Sequence, residues 1–178
     1  MSRVIGMEQG RLLLLVKKGF RNWISRFQEE FDARTTLSDI SLKTMSFLAQ
    51  AQDRETFYLY DLIMALKEWG SGFEFNELEP RKKMAVIDQY LFLLDQIRFE
   101  CMKRLGWLES YPGQDIPLVE MILQFEILAP RVQAQIPLLS PAHPRYKEYQ
   151  AMNTFDRESF VRKLIPGLLT EMMAYKES

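Results

Sequence analysis

Asp88 and Asp95 stand seven residues apart, a spacing that brings two carboxylates to one side of a helix, two turns from each other. Carboxylates so placed can hold a cation or divide acid and base roles between them. Phe92 and Phe99 fall on the same stripe. Aromatic residues at that period equally describe a helix face that docks on another helix, with the aspartates at its rim. Glu126 is set among Met121, Ile122, Phe125, Ile127 and Leu128, neighbours that predict partial desolvation and with it a ligand contact.

His143 is the only histidine. Zinc sites built on paired histidines and di-iron sites built on repeated Glu-x-x-His therefore have no material here. The run "SPAHPRY" lacks a motif that would activate Ser140 as a nucleophile. Pro144 biases His143 away from helical geometry and so excludes a helix-borne phosphorelay role. What remains for His143 is a hydrogen-bonded loop position or a ligand contact. Cys101 is the only cysteine, so no internal disulfide can form, and a cytoplasmic location is expected. It falls on the apolar face of a helix, with Lys103 and Arg104 on other faces, and is read as a small hydrophobe. No glycine-rich phosphate loop, dinucleotide fingerprint, Cys-x-x-Cys pair or calcium loop is present. The residues therefore assign no catalytic group, metal or cofactor.

The stretch "EWGSGFEFNELEP" places Trp69, Phe73 and Phe75 among Glu68, Glu74, Glu77 and Glu79 around two glycines. Aromatic anchors rimmed by acid suit a loop that docks on a basic partner. The alternative is that the aromatics tuck into the protein's own core while the acids face water.

A second stretch, "RLLLLVKKGFRNWISRF", carries five cationic residues and no acidic one, although the net charge of the chain is only -1. Residues 1–34 hold seven basic and four acidic side chains, and residues 35–79 three basic and eight acidic. That segregation predicts that the first segment lies beside the second. Nucleic-acid recognition is not expected, because it calls for an accumulated basic excess. Peripheral membrane contact through residues 11–27 is the other reading of the basic stretch.

These residues must be positioned by helices. The chain has 178 residues, enough to bury roughly 70% of the surface its unfolded state exposes, and the apolar pattern is helical nearly throughout. Over residues 11–31 the helical projection gathers Leu12, Trp23, Val16, Phe27, Phe20, Leu13, Phe31 and Ile24 into one arc of about 120 degrees, which predicts a single amphipathic helix. A helical region opens at Ser38 or Asp39 and runs to Trp69, as one helix or as two if Asp53 caps a fresh start. From Pro80 to Leu108 the apolar face spans about half the circumference, as expected of a central helix packed by several neighbours. Asp115 and Pro117 predict a mostly buried helix to Ala129. Prolines 130, 137, 141 and 144 then predict an irregular wrap over residues 129–145. A short helix follows around Arg145 to Met152, and a last one, capped by Asp156 and kinked at Pro166, runs to Tyr175.

The expectation is thus an all-α, single-domain bundle of five to seven helices around residues 80–108. Its expected function is that of a non-catalytic helical interaction protein, self-associating as a homodimer or docking on a protein partner. Ten methionines, twelve phenylalanines, seven tyrosines and three tryptophans leave open a helical module for an apolar small molecule. An enzyme using Asp88, Asp95, Glu126 or His143 would need those side chains to converge in a cleft. No segment approaches the roughly 20 apolar residues that span a bilayer.

Overall fold

The computed structural model describes residues 2–176, and side chains from 9 to 175, so Arg3 and Glu8 of the N-terminal charge count lie outside the described side chains. The chain is all-α, 68% helix and 3% strand. The described residues form ten α-helices: α1 Ser2–Gly19, α2 Arg21–Phe27, α3 Leu42–Ala49, α4 Asp53–Leu66, α5 Pro80–Arg104, α6 Leu118–Leu123, α7 Phe125–Gln133, α8 Tyr146–Gln150, α9 Thr154–Arg162 and α10 Ile165–Lys176. Two 3-10 helices, Leu37–Asp39 and Gly72–Glu77, and an antiparallel two-stranded ribbon, β1 Leu108–Ser110 with β2 Leu138–Leu139, complete the set.

The helix number exceeds five to seven because expected helices are broken. The helix expected over residues 11–31 bends after Gly19 and ends at Phe27. Its buried set shrinks to Val16, Phe20, Trp23 and Phe31, while Leu13 and Ile24 are 58% and 43% exposed. The region from Ser38 to Trp69 is two helices, and Ser41 caps the first of them through its hydroxyl and Thr44 N. The Glu29 carboxylate also seats there, accepting from Ser41 N at 2.9 Å, from Ser41 Oγ at 2.7 Å and from the Thr44 hydroxyl. Burial pushes the Glu29 pKa up, and these hydrogen bonds more than reverse it, holding the group below the usual glutamate range.

The segment after Pro117 breaks at Gln124, and its second half is not mostly buried, since Ile127 is 56% exposed and Glu126, Pro130 and Arg131 also face solvent. Pro130 lies inside α7, so the irregular segment begins after Gln133 and not at 129. The ribbon within it was not expected: strands of two and three residues are too short for alternation to register. At the C-terminus Asn153, not Asp156, caps α9, and the chain breaks at Lys163 and Leu164, with Pro166 in the first turn of a new helix.

α5 packs against α3, α4, α10 and β1, and α10 returns onto α3, where Gln50 Nε2 donates to the Leu169 carbonyl at 3.1 Å. α1 lies along α4, as the charge segregation predicts, and Arg11 forms an ion pair with Glu68. Gly19 permits the approach, because a Cβ there would sit 3.0 Å from Leu62 Cδ1. α2 is locked by Trp23, fully buried, whose ring meets Phe20, Phe27 and Phe31 edge to face and whose Nε1 donates to the Tyr58 carbonyl at 2.8 Å. No helix among the described residues is long and apolar enough to cross a membrane.

Candidate functional site

The aromatic–acidic stretch becomes a built turn. α4 ends at Leu66 with Lys67 as its C-cap, and Glu68 enters the left-handed region at φ 60. Glu68 N then bonds the Ala65 carbonyl and Trp69 N the Met64 carbonyl, at 3.1 and 2.8 Å, which satisfies two of the last carbonyls of the helix. Gly70 follows at φ 97, a conformation that favours glycine. The Glu74 carboxylate lies over it, since a Cβ on Gly70 would be 2.6 Å from Glu74 Oε2.

The turn is fixed to the body by Asp61, which is 3% exposed. Its Oδ1 accepts from Gly72 N at 2.7 Å and its Oδ2 from Asn22 Nδ2 at 2.8 Å, so one carboxylate holds α2, α4 and the turn together. Gly72 has no room for a side chain: a Cβ would sit 2.8 Å from Phe57 Cε2 and 3.0 Å from Asp61 Cβ. The Phe73 ring is thereby set against the Phe57 ring, centroids 4.7 Å apart, while Phe73 stays 79% exposed. Exposed Glu74 and Glu77 flank it on the same turn.

Trp69 and Phe75 behave differently. Phe75 is half-buried against Tyr60 at 4.5 Å, and Tyr60 meets Tyr90 at 5.2 Å. Trp69 is half-buried beneath Lys67 and Lys82, whose ammonium groups stand 5.3 and 5.5 Å from its ring. Of the three aromatics in the turn, Phe73 alone is presented to solvent.

The remaining sequence candidates do not converge on one site. Phe92 is 2% exposed, edge-on to Phe125 at 5.7 Å, and Phe99 is half-buried at 6.1 Å from Tyr111. Phe92 is therefore covered by this chain's own residues, while Phe99 keeps partial exposure beside Tyr111. Asp88 and Asp95 do line one depression of about 320 Å³, together with Phe92 and Phe125. Asp88 is exposed there, whereas Asp95 is held by Arg162 through contacts of 3.2 and 2.9 Å. Asp95, Gln96, Phe99 and Arg162 line a neighbouring cleft of about 300 Å³. Glu126 is exposed, so the expected desolvation does not occur; it lies near enough to Lys67 to oppose the lowering of that lysine's pKa by burial. His143 sits in a different loop, its Nδ1 accepting from Arg145 N at 3.1 Å and its ring 6.1 Å from Phe160. Partial burial and the Arg145 charge both lower its pKa. No group of three or more His, Cys, Asp or Glu side chains placed to hold a metal occurs among the described residues.

Cys101 is buried in α5, and that burial pushes its thiol pKa up to about 12. A water-soluble thiol reagent at neutral pH is therefore expected to label Cys101 only as fast as the chain unfolds. Labelling that runs at the same rate without and with denaturant would show that α5 is open in the native protein.

Sequence reasoning missed three features. The outward Leu13 and Leu14 of α1 could have been found, since four successive leucines cannot share one side of a helix. Phe155, 76% exposed at the start of α9, has no sequence signal beyond its own hydrophobicity. The role of Asp61 could not be read, because its partners lie 39 residues before it and 11 after. No protein-family model, no curated protein and no solved structure matches the chain.

Proposed function

We propose that the chain is a non-catalytic helical interaction protein that docks on a protein partner through the turn carrying Phe73. The supporting observation is a large aromatic, 79% exposed, on a turn whose backbone and underlying ring are fixed by Asp61, Gly72 and Phe57. An anchor already held in its docking geometry loses little freedom on binding. Glu74 and Glu77 beside it suit a partner that offers lysine or arginine around an apolar socket. A homodimer made by symmetric pairing of the turn would bring the same carboxylates together, so the charges favour a different, basic partner over self-pairing. The single buried thiol supports a reducing, cytoplasmic setting.

The module for an apolar small molecule draws no support from the cleft beside Phe99, which the charged Asp95 and Arg162 line. The enzyme reading draws little from its four candidates: only Asp88 and Asp95 line a common depression, where Asp95 is paired with Arg162, and Glu126 and His143 lie elsewhere.

The test compares immobilised wild type with Phe73→Ser and with Glu74→Lys/Glu77→Lys. Phe73 is exposed, so its replacement is expected to change stability by less than about 0.5 kcal/mol. A basic protein retained by the wild type, released by salt and lost from both variants is the expected result. Sedimentation velocity on the same samples reads self-association. Identical retention by wild type and Phe73→Ser, or a dimer that Phe73→Ser leaves intact and that accounts for all binding, would remove the turn from the function.

A further inference from the structure

The outward face of α1 is a second surface, separate from the Phe73 turn. Leu13 and Leu14 are 58% and 70% exposed, and Lys17, Lys18 and Arg21 are exposed beside them. At about 100 degrees per residue, Leu12, Leu15, Val16 and Gly19 turn toward the body while Leu13, Lys17, Gly10, Leu14 and Lys18 share an outward arc of about 140 degrees. The burial follows this division: Val16 is 4% exposed, Leu12 and Leu15 pack on the core, and Gly19 abuts Leu62. A Cβ added to Gly10, in the middle of the outward arc, would meet nothing within 4 Å.

The charge on this face is of one sign. From Arg11 to Gln28 the chain has no acidic residue. Glu68 reaches α1 at Arg11, at about 160 degrees on the same projection and so just beyond the outward arc. Cations alone would suit any polyanion, including a phosphodiester backbone, which is bound through lysine and arginine. Two outward leucines among those cations do not contribute to such a contact. At the boundary between lipid headgroups and acyl chains they do, because aliphatic side chains leave water there while the cations meet lipid phosphates.

We propose that the face formed by Leu13, Leu14, Lys17 and Lys18 of α1, with Arg21 at the start of α2, docks on an anionic bilayer surface, α1 lying in the interface and remaining packed on α4. The occupant follows from charge complementarity together with the two exposed leucines.

The experiment is cosedimentation of the full chain with vesicles of phosphatidylcholine containing phosphatidylserine, against vesicles of phosphatidylcholine alone. Lys17→Glu/Lys18→Glu and Leu13→Ser/Leu14→Ser are run alongside, and the exposure of these positions leaves the helical circular dichroism of both variants as in wild type. Wild type is expected to pellet with the phosphatidylserine vesicles and to be released by salt. Each cation near an anionic surface contributes roughly fivefold in affinity, so Lys17→Glu/Lys18→Glu is expected to lose at least about 25-fold. Leu13→Ser/Leu14→Ser should weaken pelleting at the same salt concentration. Failure of wild type to pellet, equal pelleting with phosphatidylcholine alone, or an unaffected lysine variant overturns the proposal. Undiminished pelleting by the leucine variant, with salt-sensitive retention of double-stranded DNA, overturns it too and assigns the face to nucleic acid.

Discussion

Phe92→Ala is expected to lower the folding free energy by about 3 to 5 kcal/mol, the cost of deleting a buried ring from a core that only partly collapses around the hole. Phe92 is 2% exposed and meets Phe125 of α7 edge to face, at 5.7 Å and 68 degrees. Its ring therefore fixes the start of α7 to α5, and truncation loses both the transfer of the ring from water and the contact with Phe125. Urea unfolding followed by circular dichroism measures the change, with Phe73→Ala as the exposed comparison. If the Phe92 variant shifts stability by no more than the roughly 0.5 kcal/mol of an ordinary surface substitution, the ring is not part of the core. The α5 stripe would then have to be reconsidered as a surface for a partner.

That stripe shows where sequence reasoning stops. Periodicity correctly places Phe92 on a helix, on the side of α5 opposite Val86, Ile97 and Cys101. It does not say whether that side is covered, because cover comes from Phe125, 33 residues later. Most of the main face of α5 was legible for the opposite reason: Val86, Ile97 and Cys101 are all fully buried, though Leu91 of the expected face is 52% exposed, and a wide apolar face is costly to leave in water. Helix boundaries were less legible than helix existence. Gln28, Ala51 and Glu68 take φ values of 55, 57 and 60 at or just after the ends of α2, α3 and α4. Glycine is the residue that usually signals this left-handed conformation. Where a glutamine adopts it, as at the end of α2, nothing in the sequence marks the stop, and residues 11–31 read as one helix. Within the candidate turn, the aromatic and acidic composition was visible, but which ring faces water was not. That choice is made by Asp61 and by the space above Gly72.

The second large effect is expected from Glu100, a carboxylate 2% exposed within α5. Its Oε1 accepts from the Tyr111 hydroxyl at 2.9 Å and its Oε2 from Arg104 Nε at 3.1 Å, while Arg104 Nη2 donates to the Leu37 carbonyl at 2.7 Å. One carboxylate thus joins α5 to the residue after β1 and, through Arg104, to the 3-10 helix at Leu37. Burial and the adjacent carboxylate both raise the Tyr111 pKa, so the phenol stays protonated and keeps donating across the neutral range. Glu100→Ala leaves the Arg104 guanidinium, 21% exposed, without its counter-ion and the buried Tyr111 hydroxyl without its acceptor. Removing one partner of a buried charged pair costs about 3 to 5 kcal/mol. Tyr111→Phe takes away a single hydrogen bond to a charged group and is expected to cost about 1.5 to 3 kcal/mol. Glu100→Gln keeps an acceptor for Tyr111 but loses the charge facing Arg104, so it should fall between them. A double-mutant cycle of Glu100→Ala with Tyr111→Phe, read by urea unfolding, separates the network from its parts. A coupling energy of at least about 0.5 kcal/mol is expected for residues in direct contact, and strict additivity would mean that Glu100 stabilises the fold through Arg104 alone.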